Sequence, residues 1–145
     1  MARSRKVEVG ALNVRLHPHD DGTYESFIRA IYKSRQPIKM RGDRKGVISS
    51  LSARNEEGLI EGTITTYLDI DMNQSWFNEN TFGDATEADL NQIVLPNYLH
   101  PNLKSFLFSL DASKHRIYFG RYTGGNVLSP KSALHFFVRR QTTPR

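Results

Sequence analysis

The chain has 145 residues, no cysteine and a net charge of +5, and a chain of this length suits one domain that buries about two thirds of its unfolded surface. The absence of cysteine excludes disulfides, thiolate nucleophiles and cysteine-ligated zinc. No apolar run reaches the roughly 18 residues of a membrane helix, and the first residues lack an apolar signal segment. We therefore expect a single cytoplasmic domain over residues 1–145, without a membrane partner.

The charges are unevenly distributed along the chain. Residues 1–54 carry 12 Lys and Arg against 5 Asp and Glu, residues 55–103 carry 9 Asp and Glu and no Lys or Arg, and residues 104–145 carry 8 basic residues against 1 acidic residue. Such a chain should fold into a bipolar molecule whose basic region attracts phosphates. Equally, the opposite charges can attract each other within the fold or between subunits, which predicts a homodimer or a basic protein partner for the acidic part.

The first predicted element is a strand in which the alternation of apolar residues changes phase. A β-bulge at Gly10 and Ala11 would produce this shift and would place Arg15 and His17 on the face away from the core. An amphipathic helix follows, with Asp21 or Thr23 as its N-cap. Its apolar positions are Tyr24, Phe27, Ile28 and Ile31.

An exposed basic loop is predicted next, because a proline and two glycines interrupt the pattern in SRQPIKMRGDRKG. Its cations are Arg35, Lys39, Arg41, Arg44 and Lys45. Two hairpins are predicted after it, one from GVISSLSAR with LIEGTITTYLDID and one from KSFLFSL with HRIYFGRY. The last of these strands should present Arg116, Tyr118 and Tyr122 on its face away from the core.

Between the two hairpins, residues 72–103 lose the regular pattern and predict a long acidic insertion. Trp76, Phe77 and Phe82 are expected to pin it to the fold, and TEADLNQI predicts a short helix within it. Loops of this length often carry function. A structural lid over the open face of the sheet is an equally good interpretation.

Ser129 and Pro130 predict the N-cap and the first turn of a final helix. Its apolar side would hold Ala133, Leu134, Phe137 and Val138. The predicted order is thus β-α-β-β-β-β-α, an α+β fold with an antiparallel sheet and helices packed on one face. This topology is similar to one half of the saddle of the TATA-binding protein and, with more strands, to ferredoxin-like modules, a likeness of fold without matching motif residues.

The segments VEVGALNVRLHPH and LSPKSALHFF resemble a poorly characterised group of bacterial proteins that carry unknown-function domains. Some of these proteins are associated with mobile elements and phage defence. Members of the group are longer than this chain, so the resemblance implies an N-terminal domain or a short version. It also implies a role in a bacterial toxin or antiviral defence system.

The segment LHPHDDGTY concentrates potential ligands and proton-transfer groups, and it allows two interpretations. A metal site would need His17 and His19 to converge, but the segment lacks the regular spacing of zinc sites. As a turn, Pro18 ends the strand, while Asp20 and Asp21 favour the start of the helix. The turn explains more of these residues, so we expect no metal and no cofactor.

Two kinds of nuclease remain as enzymatic alternatives. A metal-independent endoribonuclease would use His17 or His19 for proton transfer and Arg15 to stabilise the phosphate. A two-metal nuclease would build on Asp69 and Asp71, although two such acids more often form a solvated end of a strand.

Binding of nucleic acid without catalysis requires less, namely exposed cations for phosphates and aromatic rings for bases. We therefore predict a nucleic acid-binding module, with RNA favoured over DNA, and we favour a protein without enzymatic activity. Within the histidine segment, the position of His17 on the face away from the core makes it the first residue to substitute. The predicted contact residues are Arg15, His17, Arg35, Lys39, Arg41, Arg44, Lys45, Arg116, Tyr118 and Tyr122.

Overall fold

A large antiparallel sheet with helices on one face dominates the computed structural model, which describes residues 7–16, 21–123 and 126–142. The strands are β1 (Val7–Asn13), β2 (Ile38–Lys39), β3 (Arg44–Leu51), β4 (Leu59–Leu68), β5 (Phe77–Asn78), β6 (Gly83–Asp84), β7 (Lys104–Asp111), β8 (Arg116–Thr123) and β9 (Asn126–Val127). The helices are α1 (Asp21–Ser34), α2 (Glu87–Leu90) and α3 (Pro130–Thr142). In the part of the chain that the structure describes, no helix is long and apolar enough to cross a membrane.

The main sheet has the strand order β1-β8-β7-β4-β3-β2, with β9 paired beside β8. Each of its pairings is antiparallel, and β5 and β6 form a separate two-stranded sheet. This architecture confirms the predicted α+β class. Both predicted hairpins are present, as β3 with β4 and β7 with β8.

The core lies between one face of the sheet and the helices α1 and α3. Alternate residues of β4 and β7 point into it, so that Ile60 and Ile64 are buried opposite Leu110 and Phe106. This alternation is the one that the sequence predicts, because burial of a single sheet face imposes a period of two. The opposite face, which we call the outer face, is not covered by α1 or α3.

The irregularity in β1 lies nearer the N-terminus than predicted. The register shifts between Glu8 and Val9, where Arg121 of β8 is left as the extra residue, so the predicted bulge at Gly10 and Ala11 is wrong in position. Gly10 is needed for a different reason. It lies opposite Phe119, whose ring atom Cζ would be 2.4 Å from a Cβ at this position.

The structure also corrects the predicted N-cap of α1, the predicted buried side of α3 and the predicted length of the basic loop. Helix α1 begins at Asp21, so Asp21 and Thr23 both lie within its first turn and neither is the N-cap. The buried side of α3 includes Phe136, whereas Leu134 and Val138 are exposed. The predicted basic loop is shorter than expected, since β2 and the start of β3 pair within it.

The acidic insertion, residues 72–103, contains the short helix that the sequence predicts. Thr86 caps α2 through a capping box with Asp89. The prediction that aromatic residues pin the insertion is wrong for Phe77 and Phe82, which are exposed and pack edge to face against each other with ring centroids 5.4 Å apart.

Candidate nucleic-acid interface

One group of predicted contact residues lies at the β1–β8 edge of the sheet. The Nε atom of Arg116 donates to Oδ1 of Asn13 at 3.1 Å, and one of its terminal nitrogens lies 3.5 Å from the hydroxyl of Tyr118. Arg15 is exposed just beyond the end of β1. The side chain of Tyr122 lies outside what the structure describes. Arg116 and Tyr118 therefore share the outer face, as predicted from alternation, with the guanidinium engaged by Asn13.

The predicted loop cations divide into free and engaged side chains. Arg35, Lys39 and Arg41 are exposed. Arg44 and Lys45 belong to β3: Arg44 donates to Oγ1 of the buried Thr66 at 2.8 Å, and Lys45 forms an ion pair with Asp69 at 2.5 Å. Their part in nucleic-acid binding stays a prediction, but both have structural partners.

The sheet topology separates these two groups. Strands β1 and β8 lie at one edge and β2 and β3 at the other, with β7 and β4 between them. At about 4.8 Å per strand, the groups are on the order of 14 to 24 Å apart. They form two candidate surfaces rather than one.

The second surface contains a cavity of about 480 Å³, which we call the basic cavity. It lies between the β2–β3 turn and the first turns of α3. Its lining residues are Met40, Arg41, Ser129, Lys131, Ser132 and His135.

Local structure fixes both walls of the basic cavity. The amide of Met40 donates to the carbonyl of Arg44 at 2.7 Å, and Gly42 adopts a φ of +63°, which closes the tight turn that carries Arg41. On the other wall, the hydroxyl of Ser129 accepts from the amide of Ser132 at 3.1 Å and caps α3.

The two walls are joined by His135. Its Nε2 lies 3.0 Å from the carbonyl oxygen of Lys39, which can only accept, so Nε2 carries the hydrogen. Lys131 and His135 are four residues apart and therefore lie on one side of the helix. Arg41 and Lys131 form no ion pair within residues 7–16, 21–123 and 126–142, so their charges are available to a ligand.

Sequence reasoning identified Arg41 but missed Lys131 and His135. The available signal was their spacing of four residues, directly after a predicted N-cap, in a basic C-terminal segment. Nothing in the sequence indicated that this helix packs beside a loop about ninety residues earlier in the chain.

A separate cluster of ionisable groups lies at the end of β4. Oδ2 of Asp69 binds Lys45, and Oδ1 lies 3.6 Å from Nδ1 of His100. The His100 ring stacks on Tyr67 with centroids 4.5 Å apart. The hydrogen bond with Lys45 lowers the pKa of Asp69 and raises that of Lys45. Burial raises the pKa of Tyr67, so its hydroxyl stays protonated at neutral pH.

The histidine segment that the sequence singled out cannot be placed in this geometry, because His17 and His19 lie outside the described residues. Among the described histidines, His100 lies beside the carboxylate of Asp69 in an ion-pair contact. Such a pair can orient an imidazole for proton transfer. Within the described residues, no group of three potential metal-binding side chains comes together, and the two-metal arrangement on Asp69 and Asp71 is not formed there.

Residues 5–140 match the family described as "Domain of unknown function (DUF4747)". Neither the curated proteins nor the solved structures include a significant match.

Proposed function

The chain belongs to the DUF4747 family, for which no activity is defined, and we propose that it binds nucleic acid through the basic cavity. The observation that carries this proposal is the convergence of Arg41 and Lys131 from distant parts of the chain on one cavity, without acidic partners in the described structure. Unpaired cations that face each other across a cavity are suited to phosphate oxygens.

Exposed cations beside the cavity extend the same surface. Lys39 and Arg35 are exposed on the segment that leads into the β2–β3 turn. A nucleic acid strand that enters the cavity with one phosphate would meet these cations with its neighbouring phosphates. The acidic segment, residues 55–103, would repel the strand from the rest of the molecule.

We propose RNA as the ligand. A concave site of about 480 Å³ suits a flexible single strand, the form in which RNA is most often recognised. The resemblance to proteins of mobile elements and phage defence makes a bacterial toxin or defence system in the cytoplasm the setting that we propose.

The test is binding of a fluorescent single-stranded RNA by anisotropy at several salt concentrations. The double variant Arg41→Ala with Lys131→Ala should lose at least about tenfold in affinity, and its salt slope should fall by about 1.4, since each single-strand phosphate contact contributes about 0.7. Arg54→Ala is the matched control, because it removes a cation from an exposed turn distant from the cavity.

Three results would count against parts of the proposal. Unchanged RNA affinity in the double variant would exclude the basic cavity. If RNA affinity falls in Arg116→Ala instead, binding would be assigned to the β1–β8 edge. Tighter binding of DNA with the same base sequence would change the class of ligand.

A metal-independent endoribonuclease is the second candidate, and the contact between His100 and Asp69 is the observation that favours it. RNA incubated with the protein in EDTA would be cleaved, and His100→Ala would abolish cleavage while leaving RNA affinity at the basic cavity unchanged. Intact RNA after prolonged incubation with the wild-type protein would exclude this candidate.

A further inference from the structure

The acidic insertion, residues 72–103, has a defined local structure. Strands β5 and β6 pair with each other, and Nδ2 of Asn78 donates to Asp89 of helix α2 at 2.9 Å. The amide of Ala85 donates to the carbonyl of Trp76 at 2.8 Å. The first bond links the two-stranded sheet to the short helix, and the second joins the residues that flank its two strands. The insertion therefore presents a preformed surface.

This surface is unusually apolar for one that faces solvent. The described residues include 14 exposed large apolar side chains, and 9 of these belong to the insertion. Phe82 is 83% exposed and Val94 is 87% exposed, and helix α2 has no buried residue. The nine are Met72, Phe77, Phe82, Ile93, Val94, Leu95, Tyr98, Leu99 and Leu103. A concentration of exposed apolar side chains on one ordered segment is characteristic of a protein interface.

The charge of the insertion restricts its partner. Residues 72–103 contain four acidic residues, Glu79, Asp84, Glu87 and Asp89, and no Lys or Arg. A complementary surface must therefore combine apolar groups with positive charge, since acidic groups on the partner would be repelled. RNA is an unsuitable partner for the insertion for the same reason, because its phosphates are negatively charged.

The outer face of the sheet offers an apolar groove with a cation beside it. A groove of about 470 Å³ runs across β1, β8, β7 and β4, and Val9 and Leu107 line it with 67% and 73% of their surfaces exposed. Tyr118 also lines the groove, and Arg116 lies beside it. Val9 and Leu107 are exposed, so the insertion of the same molecule does not cover the groove at these residues.

We propose that the acidic insertion of one molecule docks into this groove on a second copy of the chain. The aromatic pair of Phe77 and Phe82 enters between Val9 and Leu107, and the acidic residues around it face Arg116. In the strand register, Ser109 of β7 lies between Glu61 of β4 and Tyr118 of β8. Glu61 would repel acidic residues at the β4 end of the groove, so the acidic residues of the insertion must lie at the β1–β8 end.

The proposed dimer does not obstruct the basic cavity, because that cavity lies between the β2–β3 turn and α3, away from the outer face. Each dimer then presents two such cavities. The inference is independent of the ligand of the cavity and would stand if RNA binding were excluded.

Sedimentation velocity of the full chain over a range of concentrations tests the proposal. The wild-type protein should form a dimer at micromolar concentration. The variant Phe77→Gln with Phe82→Gln should be monomeric, and so should Leu107→Lys in the groove. Leu134→Gln is the matched control, since it removes an exposed apolar side chain from α3 and should remain dimeric.

A mixing experiment then distinguishes this contact from other dimers. An equimolar mixture of the insertion variant and the groove variant retains one intact contact per pair, so it should form a heterodimer that is weaker than the wild-type dimer. A wild-type protein that is still monomeric at about 100 µM, roughly a hundredfold above a dimer Kd of about 1 µM, would overturn the proposal. Dimers that persist in both variants, or variants that do not associate when mixed, would also overturn it.

Discussion

Gly62 of β4 lies directly opposite Phe108 of β7, and the Phe108 ring occupies the space that a side chain at Gly62 would need. A Cβ at this position would be 2.6 Å from Cζ of Phe108 and 2.6 Å from the backbone oxygen of Ser50. The same arrangement recurs at the other side of the sheet, where Gly10 lies opposite Phe119. Phe108 and Phe119 are themselves neighbours, so one row across four strands reads glycine, phenylalanine, phenylalanine, glycine.

This row predicts that Gly62→Ala destabilises the fold. Neither the backbone of β3 nor the buried ring of Phe108 can move freely, and overpacking of this kind costs about 1 to 3 kcal/mol. The midpoint of urea unfolding should fall accordingly. Gly83→Ala is the control, since no atom lies within 4 Å of a Cβ there, and equal midpoints for the two variants would contradict the explanation.

Tyr24 predicts a second loss of stability. Its hydroxyl accepts a hydrogen bond from the amide of Leu16 at 3.0 Å, and both residues are buried. Tyr24→Phe keeps the ring but leaves that amide without its acceptor, which costs about 1 to 3 kcal/mol.

Thermal unfolding of Tyr24→Phe measures this cost. Tyr98→Phe, at an exposed position, should melt like the wild-type protein. If both variants keep the wild-type melting temperature, the hydrogen bond has no role in stability.

Arg44 should matter for stability, whereas its neighbour Arg41 should not. Arg44 donates to the buried Thr66 and to the backbone and side-chain oxygens of Asn102, which has a left-handed φ of +62°. Arg44→Ala removes bonds that a charged donor makes, at a cost of about 1.5 to 3 kcal/mol.

Hydrogen exchange locates the effect of this substitution. The amide of Leu68, bonded to the carbonyl of Pro101 at 2.9 Å, should exchange faster in Arg44→Ala. Arg41→Ala should leave both the exchange rate and the stability unchanged. Slow exchange at Leu68 in both variants would show that Arg44 does not hold this loop.

The ion pair between Lys45 and Asp69 predicts a window of pH in which it stabilises the fold. Because its pKa is lowered in the folded state, Asp69 contributes above its ordinary value of 3.8 and loses this contribution as pH falls through the folded value. Because its pKa is raised, Lys45 contributes below 10.5 and loses this contribution as pH rises through the folded value.

Lys45→Met tests this window. Since both side chains are more than a third exposed, the loss at pH 7 should not exceed about 1 kcal/mol. The difference from wild type should be smaller at pH 2.5 than at pH 7, because the contribution of Asp69 is lost as pH falls below 3.8 through its lowered pKa. Lys114→Met, which removes an exposed lysine without an ion-pair partner in the described structure, controls for net charge. A difference that is the same at both pH values would contradict the role of the pair.

Periodicity predicted the strands because one face of the sheet is buried. Ile60 and Glu61 show this on β4, where the apolar residue points to the helices and the acidic residue to the outer face. Periodicity could not explain Gly10, because its function depends on a ring from a strand more than a hundred residues later. The same limit applies to α3, where the packing of Phe136 against the sheet selects one of two possible apolar sides.

The candidate site was predicted in part for the same reason. Arg41 stands out in the sequence because it lies in a loop rich in cations. Its partner Lys131 does not, since a single lysine on a helix is ordinary until the fold places it across a cavity. Lys45 looked equally suitable in the sequence, but the carboxylate of Asp69, just past the end of β4, forms an ion pair with it.

The hydrogen bond between Leu68 and Pro101 means that the chain leaves the sheet and returns to it at nearly the same point. The residues between them form an insertion that contributes no strand to the main sheet. Such an insertion can lengthen, shorten or be exchanged over the course of evolution while the strand order of the main sheet stays the same. For protein engineering, this junction is a graft point at which a different binding segment can replace the present one on an unchanged scaffold.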